Sequence, residues 1–426
     1  MKDDDLGEAS AKKIATGRTV SLEGETSKPV TLKAGEAKAF RFSLKSSGLK
    51  PWSPEAPNLY VLQVSLGDKK AKTSEFYTQF GVREISVDKA NAKLLLNGKE
   101  IFLRGIARHE VFYGEPGPLV YGPASVIADF KSIKDANANF VRTAHYPNQQ
   151  QTYTIADRMG LLIWEEIPMF WFTGPEFLIQ KNVRGIGRQM WLEMIYRDFN
   201  RPSVIVWSAC NECSWQSERA AFIKDLRENA YKVDGTRLVA QSASGSDPTD
   251  ATQNQCDIIG FTTYYGIFYG NSYFADTKEA LKKTHEAFPD KPVISTEYGV
   301  WGRYGDTTQE AAQVEVAKDT FSAFKEFPFV AGATWWTIAD WHTMIVDPEI
   351  MGTMTIDRKF KKPVYYQLQR QYASLLGDLS VELKEPKEEA ALQGKASISA
   401  EVRGKDSVEA VEDRKSVVRE RVYVLV

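Results

Sequence analysis

The chain has 426 residues, 43% of them hydrophobic and 12% aromatic, with a formal net charge of −2. That length points to two or three domains around a sizeable core, and the near-neutral charge leaves no electrostatic footprint for nucleic acid or an anionic membrane. No apolar run reaches the ~18 residues of a membrane span; the opening MKDDDLGEAS has no apolar leader core, so the sequence names no compartment.

Residues 1–14 read as a disordered or truncated lead-in, and residues 15–88 as all-β. KAFRFSL (38–44) and YVLQVSL (60–66) alternate apolar and polar side chains, and SPEAPN (53–58) punctuates them. The pattern fits part of an immunoglobulin-like β-sandwich.

From residue 89 to 376 short apolar runs alternate with amphipathic segments. IFLRGIA, ANFVRTA, LLIWEEI, SVIVWSAC, RLVAQSA, CDIIGFT, KPVISTE and VAGATWW are the runs. Between them, ASVIADFKSIKDAN predicts a helix with Val126, Phe130 and Ile133 on one face, and IGRQMWLEMIYRDF one with Ile186, Met190 and Met194. Strands alternating with helices in this number predict a (β/α)8 TIM barrel. A doubly wound sheet competes, but no G-x-G-x-x-G follows any run. Residues 377–426 are charge-rich and read as a tail or the start of a further β-domain, the last residues resembling non-native sequence.

VWSACNECSW (206–215) admits two chemistries. As C-x-x-C it suggests zinc or redox function, yet only three cysteines and four histidines exist, none of the histidines close to it. A structural zinc site takes about four ligands, and a redox pair usually opens a helix, whereas Cys210 still belongs to an apolar strand. Cys210 is therefore expected to be a small buried side chain. As a strand ending in Asn211-Glu212, the same stretch places an acid at a barrel mouth.

Active sites of such barrels sit where strands end. The polar residues there are His109, Glu110, Arg142, His145, Glu165, Glu166, Asn211, Glu212, Tyr264, Tyr265, Glu297, Trp336 and Asp340. Each carboxylate alone is more often a solvated or structural group. Glu212 and Glu297 together, if ~5–5.5 Å apart, suit retaining glycoside hydrolysis.

With these motifs in order, the chain resembles glycoside hydrolase family 2, the β-galactosidase and β-glucuronidase family. The resemblance spans about residues 15–376. It rests on FGVREI, LNGKEIFLRGIARHE, ANFVRTAHYPN, ADRMGLLIWEEIP, RDFNRPSVIVWSACNE, KPVISTEYG and WWTIADW. It implies Glu212 as general acid/base and Glu297 as nucleophile, with Arg142 keeping Glu297 ionised and Tyr264 hydrogen-bonding it. Asn211 would bind the sugar 2-OH, His109 and His145 other hydroxyls, and Trp336 would floor the sugar, plain core packing being its alternative.

The chain departs from the family pattern in four places. Ala107 replaces an Asn, no Asn-x-Lys follows the last strand, no Glu-x-His follows the third, and no jelly-roll domain precedes the sandwich. The implied activity is a retaining exo-β-glycosidase, β-galactosidase-like, with a β-glucuronidase or a catalytically impaired carbohydrate-binding fragment as alternatives. The partner is a β-glycoside or oligosaccharide; no cofactor or metal is implied, and homo-oligomerisation stays open.

Overall fold

The computed structural model describes residues 20–21, 23–24, 28–67, 72–110, 122–343 and 346–376, together with the backbone of four short strands between 380 and 425. The predicted lead-in at 1–14 lies outside the described residues.

The β-rich segment contributes the antiparallel hairpin β1 (Tyr60–Gly67) and β2 (Lys72–Phe80), followed by the three-stranded sheet β3 (Ile85–Asp88), β4 (Lys93–Leu96) and β5 (Lys99–Glu100). The strand expected over 38–44 is not formed. Its neighbour Lys45 makes one bridge to Glu23, and Phe40, Phe42 and Leu44 stay exposed. Alternation needs a paired neighbour to become a ladder, and among the described residues that pairing is a single bridge.

Eight strands then form one parallel sheet. They are β6 (Leu103–Arg108), β7 (Phe140–Thr143), β8 (Leu162–Glu166), β9 (Val204–Asn211), β10 (Leu238–Ser242), β11 (Ile259–Thr262), β12 (Val293–Tyr298) and β13 (Val330–Trp335). Neighbours pair in sequence order from β6 to β10, and β13 pairs back with β6. At the remaining seam Ala243, just past β10, exchanges backbone bonds with Gly260 and Thr262 on β11, both 2.9 Å. The sheet is the predicted TIM barrel.

Strands buried on both faces read as unbroken apolar runs, as VIVWSACN does on β9. Their two faces nonetheless go to different places. Phe140, Leu162, Trp164, Val206, Ala240 and Ile294 fill the interior cluster. Val141, Ile163, Trp207, Val239, Ile259 and Val293 pack in the cluster shared with the helices.

Those helices are α1 (Pro123–Asp135), α2 (Gln150–Met159), α3 (Gly174–Ile179), α4 (Ile186–Asp198), α5 (Gln216–Val233), α6 (Ala275–Ala287), α7 (Thr307–Lys325) and α8 (Pro363–Ala373). Helix α1 buries Val126, Phe130 and Ile133 as predicted. Helix α4 is turned slightly from its predicted face: Trp191, Met194 and Ile195 are buried, while Ile186 is exposed. The indole has more apolar area to bury than either flanking aliphatic residue, so Trp191 sets the rotation.

The β-rich segment is fastened to the barrel at α2. Trp52 is fully buried against the interior cluster and donates its indole N–H to the Asp157 carbonyl at 2.8 Å. The Asp157 carboxylate accepts from Gln79 (3.1 Å), Arg201 (3.2 Å) and the Ser203 amide (3.0 Å). Gly160 ends α2 at φ +69°, and a Cβ there would strike the Pro54 carbonyl, so both conformation and space require glycine. Arg83 closes the other side by donating to the carbonyls of Pro202, Val204 and Thr236.

Replacing Trp52 by Ala should lower unfolding free energy by about 3–5 kcal/mol, the cost of emptying a buried indole site. Replacing the exposed Phe76 by Ser should change it by less than about 0.5 kcal/mol. Denaturant titration of both variants checks this; equal effects would show that the Trp52 plug does not hold the segment.

Candidate active site

Each site residue expected from the sequence lies at the C-terminal ends of the strands. His109 follows β6, Arg142 is on β7 with His145 beyond it, and Asn211 ends β9 with Glu212 next. Tyr264 follows β11, Glu297 is on β12, and Trp336 follows β13.

Arg142 is the centre of the group and is fully buried. Its Nη1 donates to Glu297 Oε1 at 2.5 Å, and its Nη2 to Glu166 Oε1 and Asn211 Oδ1, each at 2.8 Å. Burial alone would lower its pKa, but the charges of Glu166 and Glu297 outweigh that and hold it above its ordinary value. A buried guanidinium is tolerable only with such pairing. The Asn211 carbonyl is thereby committed to Arg142, which leaves its NH2 as a donor toward the mouth.

Glu297 is held at both oxygens, by Arg142 at Oε1 and by the Tyr264 hydroxyl at Oε2 (2.8 Å). Burial and the nearby carboxylates push the Tyr264 phenol well above its ordinary pKa, so it remains a donor. Glu212 sits on different supports. Its Oε1 accepts from Thr262 Oγ1 at 2.9 Å and its Oε2 from Trp171 Nε1 at 3.2 Å. Burial raises its pKa, and the charge of Glu297 raises it further. The two carboxyls thus sit in different surroundings, Glu297 bonded by a cation and a phenol, Glu212 desolvated and held by neutral donors.

His145 Nδ1 lies 2.8 Å from Glu166 Oε1. Because the Glu166 carboxylate can only accept, we assign the Nδ1 proton to that bond, while Nε2 lies 4.0 Å from Glu297 Oε1. Burial lowers the His109 pKa well below the usual value, helped by the charges of His145, Arg142 and Arg108, so its ring stays neutral. Trp336 lies nearly parallel to His145 (centroids 5.0 Å, 21°) and edge-on to His109 (5.2 Å, 84°), and Trp341 stacks on His109 at 5.0 Å. With Ala107, Ala144, Tyr264 and Met351 the two indoles form one apolar wall.

Four strand-end residues point elsewhere. Glu110 accepts from the Gln149 amide at the start of α2, and Tyr265 donates to the Gly245 carbonyl. Asp340 is paired with Lys362 at 2.6 Å, and Glu165 faces the helix layer, 3.1 Å from Arg197 on α4. Glu166, named among the strand-end residues, is the polar group of the site to which sequence reasoning gave no role. Period-two alternation along LIWEE would have separated it from Glu165, since Leu162 and Trp164 point into the barrel. Trp171 and Thr262 carried no such signal.

Cys210 and Cys213 are buried free thiols. Cys213 contacts the Met169 carbonyl at 3.3 Å, Cys210 contacts Gln241 at 3.6 Å, and a mutual hydrogen bond followed by burial holds the Cys210 thiol protonated. The expected small buried role of Cys210 is what is found.

Comparison with known proteins follows the same outline. The family model for the TIM barrel domain of glycosyl hydrolases family 2 matches residues 86–375, and a second family 2 model matches residues 4–83. A β-glucuronidase of Streptococcus agalactiae is 26% identical over 345 residues, covering 75% of this chain and 56% of that protein. The Homo sapiens β-glucuronidase is 26% identical over 334 residues, covering 72% and 50%. Among solved structures, a Ruminococcus gnavus β-glucuronidase in complex with C6-substituted uronic isofagomine superposes with a TM-score of 0.70. It is 26% identical and covers 77% of this chain and 59% of that one. The chain therefore spans about half the length of the curated relatives it matches. Matched over most of its length by the barrel model, and carrying that barrel intact among its described strands, the chain belongs to glycoside hydrolase family 2.

Proposed function

We propose that this chain carries the catalytic barrel of a retaining exo-β-glycosidase, with Glu297 as nucleophile and Glu212 as acid/base. The observation that carries the reading is the divergent environment of the two carboxyls: Glu297 bonded by Arg142 and Tyr264, Glu212 desolvated beside it. Glu297 attacks the anomeric carbon as Glu212 gives its proton to the departing oxygen, leaving a glycosyl ester on Glu297. Glu212, now a carboxylate, takes a proton from water, which attacks the same carbon and returns Glu297 as a free carboxylate. The Asn211 NH2 bonds the sugar 2-OH, His109 and His145 meet other hydroxyls, and Trp336 supports the apolar face of the ring.

For the sugar, the named relatives support a β-glucuronide; the β-galactosidase-like preference read from the sequence finds no specific support among them. One observation favours a neutral sugar as the second reading. Glu349 pairs with Trp341 through the backbone (2.8 Å) and accepts from Trp301, whose ring packs on the apolar wall. Its Oε1 is buried without a hydrogen-bond partner. An open acceptor suits a ring hydroxyl, whereas a uronate would add a second negative charge there. Arg142 and Lys362 are already tied to carboxylates.

Glu297→Gln should reduce turnover by roughly four powers of ten or more while leaving the fold intact. Glu212→Gln should retain far more rate on 2,4-dinitrophenyl glycosides than on alkyl glycosides, because the better leaving group needs little protonation. Near-normal turnover by Glu297→Gln would overturn the assignment.

A panel of 4-nitrophenyl β-D-glucuronide, galactoside and glucoside tests the sugar. The leading reading predicts preference for the glucuronide. A preference for a neutral glycoside that Glu349→Gln weakens by about tenfold, one lost charge-assisted hydrogen bond, would instead establish the second.

A further inference from the structure

Beside Glu212 the mouth carries three non-glycine residues in the left-handed region: Trp171 at φ +56°, Glu212 at +46° and Trp215 at +59°. Bulky side chains seldom adopt it, and such outliers gather at functional sites. The rings are also unusually open, with Phe170 43%, Trp171 56% and Trp215 58% exposed. Exposed apolar clusters of this kind mark binding surfaces.

Their exposure is not looseness. The segment after β8 is laddered onto the segment after β9: Asn211 N donates to Met169 O (2.8 Å), Trp171 N to Asn211 O (3.0 Å) and Ser214 N to Phe172 O (2.9 Å). The Phe172 amide donates to Cys213 Sγ at 3.3 Å. Thr173 and Glu176 then form a capping box that starts α3, and Gly174 lies so close under Trp215 that a Cβ would collide with its ring.

We propose that Phe170 and Trp171 form a platform for a planar aryl leaving group, and that Trp171 also positions Glu212. The inference rests on the glycosidase reading above. An acid must come within about 2.6–3.2 Å of the oxygen it protonates, and Trp171 Nε1 lies 3.2 Å from Glu212 Oε2. Whatever is attached to that oxygen, on the side away from Trp336, therefore lies against Trp171 and its neighbour Phe170 (centroids 6.1 Å). Phe170 has no polar group, and the Trp171 N–H is turned to Glu212. The two rings stand at 79°, so together they offer one face and one edge, the pairing an aryl group accepts, and no polar group for the hydroxyls of a second sugar.

The test compares wild type, Trp171→Ala and Trp171→Phe on two substrates of the sugar that the panel selects: its 4-nitrophenyl β-glycoside and its β-glycosyl fluoride. Fluoride is too small to reach the platform and leaves with little protonation. Trp171→Ala should lower kcat/KM on the aryl glycoside roughly tenfold more than on the fluoride, the size of one stacking contact. Trp171→Phe should keep the aryl KM. It removes a donor that favours the Glu212 carboxylate, so the alkaline limb of kcat/KM should move to higher pH. Equal losses on both substrates, or no loss on the aryl glycoside, would overturn the platform. A wild type that turns over neither substrate would instead remove the glycosidase reading and this inference with it; the fluoride rate separates the two failures and reports folding of each variant.

Discussion

The grip of Arg142 on Glu297, Glu166 and Asn211 is the constraint around which the mouth of the barrel is organised. A guanidinium taken fully out of water must have its charge and its donors answered by the protein, and removing one partner of such a pair costs about 3–5 kcal/mol. The answering groups come from β8, β9 and β12, while Arg142 itself is on β7. One side chain therefore fixes the relative height of four strand ends. It also divides the acids by surroundings: Glu297 and Glu166 share the cation, whereas Glu212 accepts from Trp171 and Thr262, and burial and then the charge of Glu297 raise its pKa.

Much of this was legible in the chain because two periodicities carry it. Short apolar runs separated by amphipathic stretches predicted the barrel, and the rule that barrel sites gather at strand ends named thirteen residues, of which nine converge, Glu166 among them. What was hidden falls into three physical kinds. The Glu165/Glu166 choice depended on strand phase, and the pattern contained it unread. The face of α4 depended on Trp191 competing with its neighbours for burial, which spacing alone does not rank. The strand expected at 38–44 depended on a pairing partner, which alternation within one segment cannot supply.

Trp171 and Thr262 were hidden for a fourth reason. Trp171 reaches Glu212 from the segment after β8 and Thr262 from the end of β11, and a hydrogen bond across 41 or 50 positions leaves no local trace. The two cysteines that made VWSACNECSW look like a metal or redox motif belong to the same arrangement. Cys213 contacts the Met169 carbonyl and accepts from the Phe172 amide, so it clips one loop to the other.

That clip has an evolutionary corollary. The backbone that presents Trp171 outward is the same backbone that, through Asn211 and Cys213, brackets Glu212. An insertion or deletion between Met169 and Thr173 would alter both surfaces in a single event. Variation in the exposed rings and variation in how the Glu212 carboxyl is seated are thus inherited together. Under that constraint drift is confined to changes of side chain on a loop of fixed length, whereas the wall around Trp336 and Trp341 can diverge on its own.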